Sequence, residues 1–284
     1  MGPLAKRCAP VSTPLFRVEG LRVALPDPKW KPLFRRRPTV EILHGLSFGI
    51  DEGTVLGIVG ESGSGKSTLG RTLVRLLEPA SGTIVFAGRD ITRLDEPALR
   101  PLRRDLQVIF QDPLSSLNPR LTVEKIIAGP LLLHRVASDR QGARRLAAET
   151  LAKVGLPASF AGRYPHELSG GQRQRVGIAR AVALRPRFIL ADEIVSGLDV
   201  STKAQVLSLL GELKAELGLT IAFISHDLSV VRRLCDRVIV MRNGEILENR
   251  PTAELFALPR HPYTAELKAA IPLPEIDPGW LGRA

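Results

Sequence analysis

The 284-residue sequence predicts an α/β fold built on a mainly parallel sheet with a helical insertion. Three observations predict it. Short, continuous apolar runs alternate with helical patterns between Phe188 and Met241. A strand-sized run at Thr54–Val59 ends in a glycine-rich turn that opens a helix. The stretch from about Val123 to Leu184 reads as helical throughout.

The elements follow in order. Residues 1–14 are proline-rich, lack periodicity and read as a loose leader. Short β-like runs come next at Leu21–Leu25 and Leu46–Ile50. Between them lies a polar, basic insert from Pro26 to about Pro38, holding Trp30, Phe34 and Arg35–Arg37. Thr54–Val59 is apolar throughout, as buried parallel strands are. Ser67–Leu77 reads as a helix with Leu69, Leu73, Leu76 and Leu77 on one face, and Thr83–Phe86 and Leu106–Phe110 read as strands. In the helical middle, Arg144–Val154 is amphipathic, and Gly171–Leu184 runs through Val176, Ile178, Ala179 and Val182. A strand at Phe188–Ala191, a helix at Thr202–Leu217, a strand at Thr220–Ile224, a helix at Asp227–Cys235 and a strand at Val238–Met241 complete the alternation. Asn243-Gly244 is a strong hairpin signal before a last strand at Glu245–Leu247. No internal repeat is evident.

Composition bounds the function. Apolar residues make up 44% and charged residues 24%, which excludes wholesale disorder. No apolar run approaches the roughly 18 residues of a membrane-spanning helix. The net charge of +11 comes from 40 Lys and Arg against 29 Asp and Glu, and 31 of the cations are Arg. Residues 1–50 hold 9 of the cations and 3 of the anions, so the excess is concentrated at that end. A solvated surface explains it as well as a polyanion partner does. Cys8 and Cys235 have neither metal-ligand nor redox-motif spacing, and so few thiols suggest a reducing, cytoplasmic compartment. Lys6 and Arg7 precede Cys8 with no apolar stretch, which argues against a signal peptide.

Gly60-Glu61-Ser62-Gly63-Ser64-Gly65-Lys66-Ser67 fits the phosphate-loop pattern and sits between a strand and a helix, as the chemistry requires. The glycines let successive N–H groups turn inward as a nest for phosphate oxygens, and the following helix adds its own N-terminal donors. Lys66 suits the β- and γ-phosphates and the Ser67 hydroxyl a Mg²⁺ ion, with Thr68 next in the helix. Phe188–Ala191 ends in the adjacent carboxylates Asp192 and Glu193, at the strand end where parallel sheets open onto ligands. Asp192 could hold Mg²⁺ through water and Glu193 polarise an attacking water as general base; taken alone, the pair could equally cap the next helix.

Leu168-Ser169-Gly170-Gly171-Gln172, followed by Arg173-Gln174-Arg175, resembles the signature motif of the ATP-binding-cassette ATPases. Val108-Ile109-Phe110-Gln111-Asp112-Pro113 is similar to that family's Q-loop, Ser196-Gly197-Leu198-Asp199 to its D-loop and Ser225-His226-Asp227 to its switch-histidine loop. The match covers nearly the whole chain from about Phe16. The resemblance implies a P-loop NTPase (RecA-like) core with an antiparallel β subdomain and an inserted helical signature subdomain at about 112–182, within a nucleotide-binding domain over 15–255. It also implies a Mg²⁺-dependent ATPase. Gln111 would touch Mg²⁺ and the attacking water, His226 the γ-phosphate, and Asp199 would bridge a dimer. Leu168–Gln172 would face the γ-phosphate bound to the opposite subunit, with Ser169 and the free N–H groups of the helix start as a second anion site.

Phe110-Gln-Asp-Pro-Leu-Ser-Ser-Leu-Asn-Pro-Arg120 and the tail Arg260-His-Pro-Tyr-Thr264, continuing through Ala270-Ile-Pro272, resemble the oligopeptide/dipeptide/nickel importer ATPases. Within that group the chain looks like the second ATPase, paired with a non-identical one, and 256–284 would be its C-terminal extension. This implies permease transmembrane subunits as partners, a solute-binding protein acting indirectly, and a peripheral place at the cytoplasmic face of the inner membrane. The rival is a soluble accessory ATPase resembling that of the carbon–phosphorus lyase system. Nucleic acid is not an expected partner, because coiled-coil insertions and tandem cassettes are both absent from the sequence. Three positions depart from the family pattern. Ile194 stands where Pro is usual, Leu114 replaces an aromatic, and the position expected to stack on adenine, near Leu25, is aliphatic, with Trp30 and Phe34 as aromatic alternatives.

Overall fold

Two sheets divide the chain, and burial patterns decide which segment joins which. The computed structural model describes residues 14–27 and 38–270. Residues 1–13 of the leader with Cys8, the insert residues Trp30, Phe34 and Arg35–Arg37, and Ile271-Pro272 of the tail lie outside the described residues.

The chain opens with β1 (Phe16–Pro26) and β2 (Thr39–Ile50), then enters β3 (Val55–Val59), the phosphate loop and α1 (Lys66–Leu73). β4 (Ser81–Phe86), β5 (Arg89–Asp90), α2 (Glu96–Leu99) and β6 (Leu106–Ile109) follow. A helical stretch comes next: α3 (Pro113–Ser116), α4 (Val123–Leu133), α5 (Arg140–Lys153) and α6 (Gly170–Val182). Then β7 (Phe188–Asp192), α7 (Val200–Leu217), β8 (Thr220–Ile224), α8 (Leu228–Leu234) and β9 (Arg237–Arg242) alternate. β10 (Glu245–Pro251), α9 (Thr252–Ala257) and α10 (Pro262–Ala269) close the described chain.

One sheet has the order β10-β9-β3-β8-β7-β6, parallel except for the β9–β10 hairpin; the other is antiparallel, in the order β2-β1-β4-β5. The central strands β3, β7 and β8 are buried along their whole length, and their side chains point alternately into two cores. Val55, Val59, Ile189, Ala191, Ile221 and Phe223 enter the core shared with α4–α9. Leu56, Ile58, Phe188, Leu190, Ala222 and Ile224 enter the core shared with the antiparallel sheet and α1. Phe16 of β1 joins the two sheets directly, with its ring 4.6 Å from Phe188 in an edge-on contact and 4.9 Å from Phe86. Among the described residues no helix is long and apolar enough to cross a membrane.

Differences from the sequence expectation have local causes. β1 starts at Phe16 rather than Leu21 because register shifts around Glu19-Gly20 break its alternation: Phe16 and Val18 point inward, then Leu21 and Val23. β2 likewise begins at Thr39, well before Leu46. α1 stops at Leu73, not Leu77, and Leu76 is exposed instead of lying on a buried face. The stop is made by Arg75, at φ 55°, whose buried guanidinium donates to the carbonyls of Ile91, Leu77 and Leu94. The short elements β5, α2 and α3 carry too few residues for a periodic signal. The Asn243-Gly244 hairpin forms as expected, with φ 48° and 78° at its two central residues.

Candidate active site

β3 delivers the phosphate loop from the middle of the parallel sheet, between β8 and β9. Gly60 leaves the strand at φ 149°, and a Cβ there would stand 2.1 Å from the Met241 carbonyl oxygen and 2.8 Å from Ser64 Oγ. Only glycine fits that passage, so the loop lies tight on β9. The N–H of Gly244, in the β9–β10 turn, donates to the Ser64 carbonyl at 3.1 Å and fixes the loop from the same side. The Ser64 hydroxyl is buried and finds no hydrogen-bond partner among the described residues.

Lys66 is 5% exposed, and its Nζ donates to the carbonyls of Gly60 at 2.8 Å and Glu61 at 2.7 Å. An ammonium has three donors, so one remains for another oxygen. Burial lowers the Lys66 pKa below the ordinary lysine value, while the carboxylates of Glu193, Asp192 and Glu61 work against that shift. A caged cation with a spare donor at the start of α1 suits a phosphate chain. Glu61 and Ser62 are exposed at the loop's outer edge, and Thr68 receives the Thr72 hydroxyl on its carbonyl inside α1.

The neighbouring strand ends supply the oxygens. Asp192, at the end of β7, accepts from the Ser67 hydroxyl at 2.8 Å, and its other oxygen lies 3.5 Å from Arg71 Nη2. Glu193 follows at φ 49°, a left-handed conformation that costs on the order of 1–3 kcal/mol for a residue with a side chain. Its surroundings hold it there. The Glu193 N–H donates to Ile224 O at 3.0 Å, and Ser196 donates from its N–H at 3.0 Å and its hydroxyl at 2.7 Å to the Glu193 carbonyl. Ile194, where the family resemblance expects Pro, is buried in the core and anchors the same turn by packing. The carboxylate is thereby aimed at two partners: Gln111 Nε2 donates to Glu193 Oε2 at 3.3 Å, and His226 Nδ1 lies 3.6 Å from the same oxygen.

His226 is set between two pinned neighbours. The Asp227 N–H donates to Ser225 Oγ at 3.0 Å. The Asp227 carboxylate caps α8 through the N–H groups of Ser229 and Val230 and accepts from Lys203 Nζ at 3.0 Å. Burial raises the Asp227 pKa, but the bonds from Lys203 and Ser229 outweigh it and hold the carboxyl below its ordinary value.

The residues resembling the signature form the start of α6. Ser169 starts α6 with a capping box: its hydroxyl accepts from Gln172 N–H at 3.3 Å, and Gln172 Oε1 accepts from Ser169 N–H at 2.9 Å. Leu168 is buried beneath the turn, while Gly170 is exposed and leads into the helix. Gly171 packs on α7 so closely that a Cβ would meet Thr202 Cγ2 at 2.5 Å. Asp199 caps α7 from the other side of that contact, accepting from Thr202 N–H at 2.9 Å and the Thr202 hydroxyl at 2.7 Å. Those bonds keep its pKa below the ordinary carboxylate value, backbone donor first. Gln111, Gly170, Arg173, Ser196, Gly197 and Leu198 line one cavity of about 460 Å³, and the apolar Val200 beside it is 85% exposed. Among the described residues no hydrogen bond or ion pair joins Leu168–Gln172 to the phosphate loop.

Two residues of the site escaped the sequence reading. Arg71 lies one turn beyond Ser67 in α1, and that i to i+4 spacing, which puts both on one helix face, was the available signal. Tyr263 belongs to the tail motif, yet its hydroxyl accepts from the Glu61 N–H of the phosphate loop at 2.9 Å; no local pattern announces a contact spanning 202 positions. Leu25, near the expected adenine position, is half-buried in β1 opposite Val40.

The family profile described as "ABC transporter" matches residues 43–196. The oligopeptide transport ATP-binding protein AppF of Bacillus subtilis is 52% identical over 243 residues, covering 85% of this chain and 74% of that protein. The oligopeptide transport ATP-binding protein OppF of the same organism is 50% identical over 242 residues, covering 85% and 79%. Among solved structures, the dimeric ATP-binding cassette MJ0796 in a post-hydrolysis state with ADP and Pi superposes with a TM-score of 0.73 at 31% identity, covering 84% of this chain and 98% of that one. The structure of cbiO1 from Clostridium perfringens, part of the ABC transporter complex cbiONQ, gives 0.74 at 28% identity, covering 86% and 91%.

Proposed function

The chain belongs to the ATP-binding-cassette transporter family, and from that premise we propose that it is the ATP-binding and ATP-hydrolysing subunit of a peptide importer. One observation supports this most: Lys66, Ser67, Asp192, Glu193, Gln111 and His226 converge where β3, β6, β7 and β8 end. The two relatives with oligopeptide transport in their names supply the substrate class.

Each side chain then has a task. The backbone donors of Gly63–Ser67 and the Lys66 ammonium hold the phosphate chain. The Ser67 hydroxyl, Gln111 and, through water, Asp192 would hold a Mg²⁺ ion, which would supply charge neutralisation for the phosphate oxygens. Glu193 takes a proton from the water that attacks the γ-phosphorus. The new bond is from water oxygen to phosphorus, the bond to the β-phosphate oxygen breaks, and ADP and phosphate result. Gln111 and His226 flank the Glu193 carboxylate and orient the water and the γ-phosphoryl group.

The cap of α6 completes the site of another subunit. Ser169, Gly170, Gly171 and Gln172 present a hydroxyl and helix-start N–H groups to the γ-phosphate held by a second, non-identical ATPase, with Asp199 and Val200 at the shared edge. ATP closes this pair, and hydrolysis reopens it. The movement passes to permease transmembrane subunits at the cytoplasmic face of the inner membrane, which receive peptide from a solute-binding protein. Purification of the tagged chain from detergent-solubilised membranes should bring down the permeases and the second ATPase. Recovery only in a soluble enzyme complex would contradict the importer reading.

A further inference from the structure

The tail beyond the parallel sheet reaches back into the phosphate loop. Glu248 of β10, buried to 6% exposure, accepts from the N–H groups of Arg260 at 3.0 Å and His261 at 2.8 Å, and Arg250 Nη1 lies 3.6 Å from its other oxygen. Burial raises the Glu248 pKa, but the donors around it, His261 N–H foremost, bring the carboxyl below its ordinary value, so it stays an acceptor for the tail. His261 Nδ1 accepts from Tyr263 N–H at 3.1 Å and starts α10. Tyr263 is 2% exposed, its ring packs in the core shared with α4–α9, and the Arg242 guanidinium lies 4.7 Å over that ring. All of this converges on one polar contact, the Tyr263 hydroxyl accepting the Glu61 N–H at 2.9 Å.

The consequence follows from the loop's other attachments. Gly60 is wedged against Met241 O, Ser64 O is tied to Gly244 N–H, and the Glu61 carbonyl receives Lys66 Nζ. Between these fixed points the Gly60–Glu61 peptide unit is held on its N–H side by Tyr263 and on its carbonyl side, the Gly60 oxygen, by Lys66 Nζ. Rotation of that unit would carry the Gly60 carbonyl away from Lys66, and the lysine would lose one of its two backbone anchors. The geometry points to Tyr263 as a positioning residue for ATP binding: a buried phenol from the C-terminal tail that fixes the phosphate loop in its binding conformation. This rests on the reading of the site as an ATPase. It gives the tail segment Arg260–Thr264 a task at the nucleotide, where the sequence offered only a family likeness.

Tyr263→Phe removes the hydroxyl and leaves the ring. In the full-length chain its expected result is an unchanged melting temperature with a rise of about fivefold in the Kd for ATP, the effect of one net hydrogen bond. In the assembled transporter the KM for ATP should rise by a similar factor with kcat within twofold. His261→Ala, which removes the acceptor for Tyr263 N–H, tests the same path should the first variant fail to fold, and its Kd should rise too. An ATP Kd within twofold of the unsubstituted chain overturns the proposal, as does a lowered melting temperature with unchanged affinity, which marks a structural brace alone. A fall in kcat at constant KM also overturns it. Absence of ATP binding by the unsubstituted chain would overturn instead the reading of function beneath it.

Discussion

Glu193→Gln is expected to leave ATP bound and to cut hydrolysis in the assembled transporter by about 10²- to 10⁴-fold, the range a positioned general base contributes. The substitution is nearly isosteric. Its amide oxygen can still accept from Gln111, and the turn remains held by Ser196, Ile194 and the Glu193–Ile224 backbone bond. What disappears is the capacity to take a proton. Binding should persist because the phosphate donors sit on a different segment, Gly60–Ser67, and Lys66 loses a carboxylate neighbour without losing its two carbonyl partners. Phosphate release and equilibrium nucleotide binding, measured on the same preparation, separate the two quantities. Undiminished hydrolysis would show that the base is another group.

Lys66→Ala is expected to remove binding itself. The ammonium is nearly enclosed, and the phosphate chain it serves carries several negative charges. Removing one partner from a buried charge pair costs about 3–5 kcal/mol, or ATP affinity weaker by about 10²- to 10⁴-fold. The pH dependence has a definite sign. Burial lowers the lysine pKa, and only the charged form attracts phosphate, so ATP affinity should fall as pH rises toward that lowered pKa, earlier than for an exposed lysine. Calorimetric titration of both chains with ATP across the alkaline range checks magnitude and direction together. Equal affinity in the two chains would remove Lys66 from the phosphate site.

What could be read in advance had short-range or strongly patterned signals. β3, β7 and β8 are five-residue runs buried on both faces, so their apolar continuity was sufficient evidence. The phosphate loop, the Asp192-Glu193 pair and the Ser169 cap are each determined within a few residues, and their order along the chain carried the resemblance. The misses depend on distant partners. The end of α1 is made by Arg75 reaching carbonyls up to Leu94, with neither Gly nor Pro to mark it. The bulged start of β1 hides its alternation. The Glu193 conformation rests on Ile224 of another strand, and the Tyr263 contact joins residues 202 positions apart. Function was legible before geometry because each motif is local chemistry; how the motifs are braced is tertiary.

On the proposed function, ATP hydrolysis at Glu193 drives peptide uptake. Its most direct test is a proteoliposome holding the complete transporter, with solute-binding protein and labelled peptide on one side and MgATP on the side of the ATPases. Peptide accumulation and phosphate release are expected with the unsubstituted chain, and loss of both with Glu193→Gln while ATP remains bound. Uptake that continues at the original rate in the Glu193→Gln complex, or that needs no ATP, would contradict it.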